Sequence, residues 1–369
     1  MLFKFILLFF ILINFSYAET IKSKSGAFYL EQAEFSELHN WEKDSIYLAL
    51  KAFVNSCNQM NKMNKNSVLS SELYKIKVKD LLDICEVASN TSEEDAKLFF
   101  QNWFVPFLVV DKKNEENGLF TGYYQSSIKA SRNKDNTYRF PIYRKPSDLK
   151  TNEEYYTRQE IDEGALEGQG LEIFYTDSKV DLLFLQIQGS GKVFLDDGTI
   201  TKVAFAGKNN RPYKSVGSIL IEKKYMKKQN INAISIKEWL NNNPDKIDEV
   251  LHENESYIFF KEQKDNYVRG AHGSILTPYR SIAIDSSLMP YGFPFWIETQ
   301  IKNNDKTISN FKRLVISQDT GSAIKGAVRA DIFFGDDEKA EFLASNMNFS
   351  GKYYILLPKN IADLLHSKY

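Results

Sequence analysis

The sequence predicts a mainly β chain with helices gathered near its N-terminal end, and three observations carry that prediction. From Phe107 onward, short apolar runs in period-2 alternation are closed again and again by Gly, Pro, Asn or Asp. Before Phe104 the apolar residues recur at helical spacing instead. Near the C-terminal end, three aspartates stand at or close to the ends of apolar runs, where a sheet fixes a side chain and the following loop leaves room for a ligand.

Met1 to Ala18 carries Lys4, an apolar run from Phe5 to Phe15 broken only by Asn14, and then Ser16-Tyr17-Ala18. This is the pattern of a secretory signal, so the exported chain is expected to begin near Glu19, with an uncleaved anchor as the alternative. The first cysteine is Cys57, which leaves no residue for lipidation after the cleavage site. Some 350 residues remain, enough for about two domains with ample core. With 47 basic against 48 acidic residues, no overall field draws nucleic acid to the chain. The basic run Lys223, Lys224, Lys227, Lys228 reads as a solvated helix face.

Helices are expected over Asp44 to Met60, Lys75 to Ala88 and Thr91 to Phe104. The first two hold Cys57 and Cys85, the only cysteines; in an exported chain a bridge between them is expected, with two buried thiols as the alternative. Phe107 to Val110 and Gly118 to Tyr124 read as strands around a polar turn, and Ser126 to Thr137 reads as a crossing between domains. Leu182 to Gln188 is the clearest strand: Phe184, Gln186 and Gln188 share one face, which lines either a polar groove or solvent. Gly189-Ser190-Gly191 lacks the third glycine of a dinucleotide fingerprint. Helices follow at Ser235 to Leu240 and Pro244 to His252, and a last strand and helix at Tyr353 to Leu357 and Ile361 to His366. His252 falls on the second of these helices, and His272, in a Gly-Ala-His-Gly loop, has no nucleophile-and-acid pattern beside it.

The functional signal concentrates in Ser317 to Gly335, SQDTGSAIKGAVRADIFFG, which contains Asp319 and Asp331. Asp285 occupies a similar place in RSIAIDSSLMPYG (280–292). A single Asp beside a turn commonly accepts only backbone hydrogen bonds. Asp331 differs, because alternation puts it with Arg329 and Phe333 on one face inside an apolar strand. A charged pair there needs a polar cleft or an internal partner.

These segments, together with GLFTGYY (118–124), TRQEIDEGALEGQGLEIFYTD (157–177), VDLLFLQIQGSGKV (180–193), AGKNNRPYKSVG (206–217) and NESYIFFKE (254–262), resemble MltA-type lytic transglycosylases in order and spacing over nearly the whole mature chain. The resemblance implies a double-psi β-barrel domain interrupted by a smaller inserted β-rich domain, with a sugar-binding groove between the two. Its boundaries would be a signal at 1–18, helices and first barrel strands at 19–126, the insert at 127–255 and the second half of the barrel at 256–369. It implies cleavage of the β-1,4 bond between N-acetylmuramic acid and N-acetylglucosamine in peptidoglycan, leaving 1,6-anhydro ends. By motif Asp331 would be the catalytic acid and Asp319 and Asp285 its support, while Thr121, Gly122, Tyr123, Gln186, Gln188 and Gly189 would hold the glycan.

No cofactor or metal is implied. The expected partners are glycan strands and other cell-wall enzymes, for a monomer in the periplasm with outer-membrane association left open. The acid inventory suits the chemistry: a water-using glycosidase generally needs two carboxylates, whereas in a transglycosylase the substrate's own C6 hydroxyl attacks C1 and one carboxyl serves as acid and then base. Two departures stand out, Gln125-Ser126 where many relatives carry Glu-Pro, and Ser322 where a second glycine is usual. A water-using hydrolase and a non-catalytic glycan-binding protein are the other readings, with a calcium site on the three aspartates a weaker third.

Overall fold

The computed structural model describes residues 20–70, 72–73, 75–263 and 267–366, so the expected signal segment lies outside the described residues. Six strands close into a barrel: Gly118–Tyr123, Arg329–Phe333, Ser281–Ile284, Ile308–Thr320, Pro294–Lys302 and Asn348–Pro358. Closure is made by Asn348–Pro358, which pairs with Pro294–Lys302 along one edge and with Gly118–Tyr123 along the other. Two pairings are parallel, Ser281–Ile284 with Ile308–Thr320 and Gly118–Tyr123 with Arg329–Phe333. Beyond the ring, Phe104–Asp111, Phe28–Gln32 and Thr20–Lys22 extend the sheet. Phe120, Ile282, Trp296, Ile332 and Tyr353 are buried in the core that results.

The helix Ile46–Met60 joins the same core through Ala49, Phe53 and Cys57. Phe53 meets Phe100 and Phe104 edge-on, with ring centroids 6.0 and 5.7 Å apart; such pairs add roughly 0.5–1.5 kcal/mol each to simple burial. Cys57 and Cys85 are bridged across 28 residues of sequence, a closure that stabilises by roughly 3.5 kcal/mol in the chain-entropy model. Arg280, buried, donates two hydrogen bonds of 2.7 Å to the Asp44 carboxylate, which also accepts from the Leu314 amide at 2.9 Å. The first helix is thus fastened to the barrel just before its start and to the second helix near its end. The second expected helix begins late: Ile76–Lys77 is a short strand and Val78–Asp80 a 3-10 turn, and the helix runs Leu82–Asn90.

A second sheet of six strands interrupts the barrel, in the order Ile258–Gln263, Ile200–Lys208, Ser190–Leu195, Ser126–Ser131, Glu172–Thr176, Phe140–Tyr143. It takes in more chain than the expected 127–255. Ser126–Ser131 is a strand pairing in parallel with Ser190–Leu195, not a loop crossing, and Ile258–Gln263 pairs with Ile200–Lys208 instead of returning to the barrel. Phe260 faces one core and Tyr257 and Phe259 another, and where adjacent residues of a strand are both buried, no alternation says which sheet owns it.

The run Leu182 to Gln188 is likewise not a strand but the end of a helix, Lys179–Gln188. Ser178 caps it by accepting from the Asp181 amide at 3.0 Å, and Gly189, at φ 76°, ends it in the left-handed conformation. The helix is sandwiched: Leu182 and Leu185 face the sheet, while Val180, Leu183 and Phe184 face a cluster built by Val216, Ile219, Leu240 and Val250. Burial on two sides removes the one-sided stripe that identifies a helix in sequence.

Candidate active site

The barrel sets one row of side chains across four strands. Ala283 is the register partner of Asp319 on one side and of Asp331 on the other, and Asp331 is in turn the partner of Thr121. Register partners project from the same face, so Asp319, Ala283, Asp331 and Thr121 lie side by side, with the two acids separated by two strand spacings, about 10 Å at the backbone. The alanine methyl between them keeps the gap open. A β-bulge makes this alignment: Ile282 pairs with Ser317 and Ala283 with Asp319, leaving Gln318 without a register partner. Gln318 turns inward, where its amide donates to the Ala52 carbonyl and the Ser56 hydroxyl at 2.8 Å each.

Asp331 accepts from the Thr121 hydroxyl at 2.5 Å and forms an ion pair with Arg329, two residues before it on the same strand face. Arg329 also donates to the Thr121 hydroxyl at 3.1 Å. The charged pair thus has both a polar cleft, which Asp331 lines, and an internal partner, the Thr121 hydroxyl, which both members bond. Asp319 keeps a narrow edge of surface on the groove but is otherwise enclosed by protein, and that desolvation pushes its carboxyl up to about 6. Hydrogen bonds from the Ala271 and Thr320 amides, 2.8 and 2.9 Å, pull the other way, and the Asp331 charge adds to the upward push. The Tyr123 hydroxyl is buried and without a well-formed hydrogen bond; burial and then the Asp319 charge raise it far above the ordinary phenol range, so it stays protonated beside the acids.

Asp285 does something else. Burial would raise it, but hydrogen bonds from the Ser287 hydroxyl at 2.6 Å, the Gly326 amide at 3.0 Å and the Ser287 amide outweigh burial and, with Lys325, hold it below the usual carboxylate value. It ties down the loop before Arg329 and does not line the groove. The three aspartates therefore do not converge on a common ion.

The groove lies between barrel and insert, with Asp319, Asp331, Gly122 and Tyr123 on the barrel side and Gln186, Gln188 and Tyr213 among the residues facing them. Gly122 is there because nothing larger fits: a Cβ would stand 2.5 Å from the Phe334 ring and 2.9 Å from the Ala344 Cα. Gln188 accepts from the Tyr124 amide at 3.2 Å, joining insert to barrel. Gln186 is buried and accepts from Arg158 at 2.7 Å. Gly189 caps its helix and does not line the groove. Sequence reasoning missed Arg158, which lines the groove although it is only 3% exposed; the Thr157–Glu160 capping box announces its helix but nothing announces its burial. It also missed the Ala271 amide, brought to Asp319 because Gly270 lets the backbone pass where a Cβ would lie 2.2 Å from the Gln318 carbonyl.

Known proteins share this fold. The model of the MltA specific insert domain matches residues 119–261 and that of the 3D domain matches 280–357. The structure of the lytic transglycosylase LtgG of Burkholderia pseudomallei is 32% identical, with a TM-score of 0.59, covering 89% of this chain and 95% of that one. This chain belongs to the MltA family. Within the family, the membrane-bound lytic murein transglycosylase from Agrobacterium tumefaciens superposes with a TM-score of 0.80 at 28% identity, over 91% of this chain and 99% of that one. The membrane-bound lytic murein transglycosylase A of Vibrio cholerae is 38% identical over 244 residues, 65% of each chain. The match thus spans about 65% of the length of the curated relatives. No helix among the described residues is long and apolar enough to cross a membrane.

Proposed function

We propose that this protein is a peptidoglycan lytic transglycosylase, cleaving the β-1,4 bond between N-acetylmuramic acid and N-acetylglucosamine in the periplasm and leaving 1,6-anhydro ends. The observation that carries the reading is the row Asp319, Ala283, Asp331 along the groove of an MltA-family barrel, with Thr121 next in register behind Asp331. Asp331 protonates the leaving oxygen; as a carboxylate it then takes the proton of the C6 hydroxyl, which closes on C1 without water. Thr121 and Arg329 hold the Asp331 carboxyl in one orientation between the two steps. Asp319, held by the Ala271 amide, and Tyr123 form the polar floor beside it. Gly122, Gln186 and Gln188 shape the glycan path.

One observation favours a second assignment of roles within the same reaction. Asp319 is the acid whose burial raises its carboxyl, to about 6, so that it keeps its proton closer to neutral pH than an ordinary aspartate does, and the donor in this assignment is Asp319. Mass spectrometry of peptidoglycan digested by the purified protein tests the reaction. Anhydro products are expected; products one water heavier would make it a hydrolase, and binding without release a glycan-binding protein. Turnover by Asp331→Asn alongside loss in Asp319→Asn would pass the donor role to Asp319.

A further inference from the structure

Arg158 is a buried cation with no carboxylate in hydrogen-bond contact. Its Nε donates to the Asn254 carbonyl at 3.1 Å, and one terminal nitrogen, Nη2, donates to the Ser256 carbonyl and the Gln186 side chain at 2.7 Å each. The guanidinium also lies over the Tyr257 ring, 5.3 Å from its centroid. Asp162 is near enough to favour its charge but pairs with His252 at 3.2 Å. The other terminal nitrogen, Nη1, makes no hydrogen bond in the structure, although it is not among the fully enclosed polar atoms that lack a partner. Arg158 lines the groove with 3% of its surface exposed, and Nη1 is the guanidinium nitrogen that no protein group holds there.

A charge kept out of water and held by neutral carbonyls is costly unless an anion completes it, and a guanidinium locked on one edge presents its other edge in a fixed direction. On the opposite side of the groove stand acids, Asp319 and Asp331. An anionic substituent would be repelled there and held at Arg158. N-acetylmuramic acid differs from N-acetylglucosamine by its lactyl substituent, which bears a carboxylate itself or a peptide with carboxylates of its own.

We propose that Arg158 is a specificity residue that binds a carboxylate on the muramyl substituent, setting which way round the glycan lies across the acids. The inference rests on the peptidoglycan reading above. Its test uses the full chain carrying Asp331→Asn, so that ligands are not consumed, with binding followed by calorimetry. The probes are a tetrasaccharide of alternating N-acetylglucosamine and N-acetylmuramic acid with free lactyl carboxylates, its methyl amide, the same glycan bearing peptide stems, and chitotetraose. A carboxylated probe should bind about tenfold more tightly than the methyl amide. The free acid leading points to the lactyl group, and the stem-bearing glycan leading points to the peptide. In Arg158→Met the preference should fall to near one while chitotetraose affinity stays within about twofold; should that variant not fold, Arg158→Lys should still shrink the ratio, since an ammonium loses the fork geometry. Equal affinity for acid, stem-bearing and amide probes overturns the role of Arg158 and leaves the glycan reading standing. So does a preference that survives in Arg158→Lys and Arg158→Met. Failure of every probe to bind overturns both.

Discussion

The two walls of the groove are built on different principles. On the barrel wall, position comes from strand register: one bulge and one alanine align Asp319 with Asp331, and each acid is met by groups from its own or the adjoining chain segments. On the insert wall, position comes from long-range bonds to irregular backbone, as where Arg158 spans to residues 254 and 256 and Gln188 reaches Tyr124. A register fixes proton-transfer geometry tightly, which suits chemistry. A wall of side chains on helix ends suits recognition of an extended ligand. Barrel-wall substitutions should therefore depress turnover, and insert-wall substitutions should depress binding.

The largest effect is expected for Asp331→Asn, which keeps shape while removing the proton. Turnover on intact sacculi should fall by roughly 10²–10⁴-fold with glycan binding and circular dichroism unchanged. A variant that lost binding instead would dissolve the division between the walls.

Asp319→Asn should show itself in stability as well. With its folded carboxyl at about 6, above the unfolded value of 3.8, the native state holds more protons between those values, so the stability it contributes is full below pH 4 and declines as pH rises through 6. The amide removes that decline. Relative to the variant, wild type should lose up to about 3 kcal/mol between pH 4 and 7, read as a widening gap in thermal midpoints; parallel midpoints across that range would refute the enclosed-carboxyl picture.

These strand-end acids were legible in sequence, because an aspartate inside RADIFF needs a partner and a strand supplies a fixed face. The chain around Leu182 to Gln188 was not, since a helix buried on both sides and a buried strand share one apolar run. Arg158 was invisible for a related reason: its carbonyl partners are about a hundred residues away and leave no mark on the local pattern. The same holds for Ile258–Gln263, whose sheet is chosen by contacts distant in sequence.

Gly122→Ala tests the barrel wall where it is tightest. The new methyl would press on Phe334 and the backbone of Ala344, and overpacking of this kind costs about 1–3 kcal/mol; a chemical-denaturation midpoint matching wild type would mean that the wall yields. The smallest effect is expected for Gln188→Ala. Removing the acceptor of the Tyr124 amide should cost roughly 1 kcal/mol and raise KM for sacculi more than it lowers kcat. A fall confined to kcat would place Gln188 with the chemistry.

Only two residues, Tyr124 and Gln125, separate the last barrel strand before the insert from the insert's first strand. Both are fastened, Tyr124 through its hydroxyl to Glu341 at 2.9 Å and Gln125 through its amide to the Gly335 carbonyl at 2.8 Å. This crossing sits directly beside Gly122 and Tyr123 in the groove, so mechanically it is a fulcrum placed at the acids. Any rocking of the insert about it moves the far rim through a long lever arm and the reacting end hardly at all. Under the proposed function, a glycan strand would be admitted sideways at the rim while the distance from its scissile bond to Asp331 stays nearly constant.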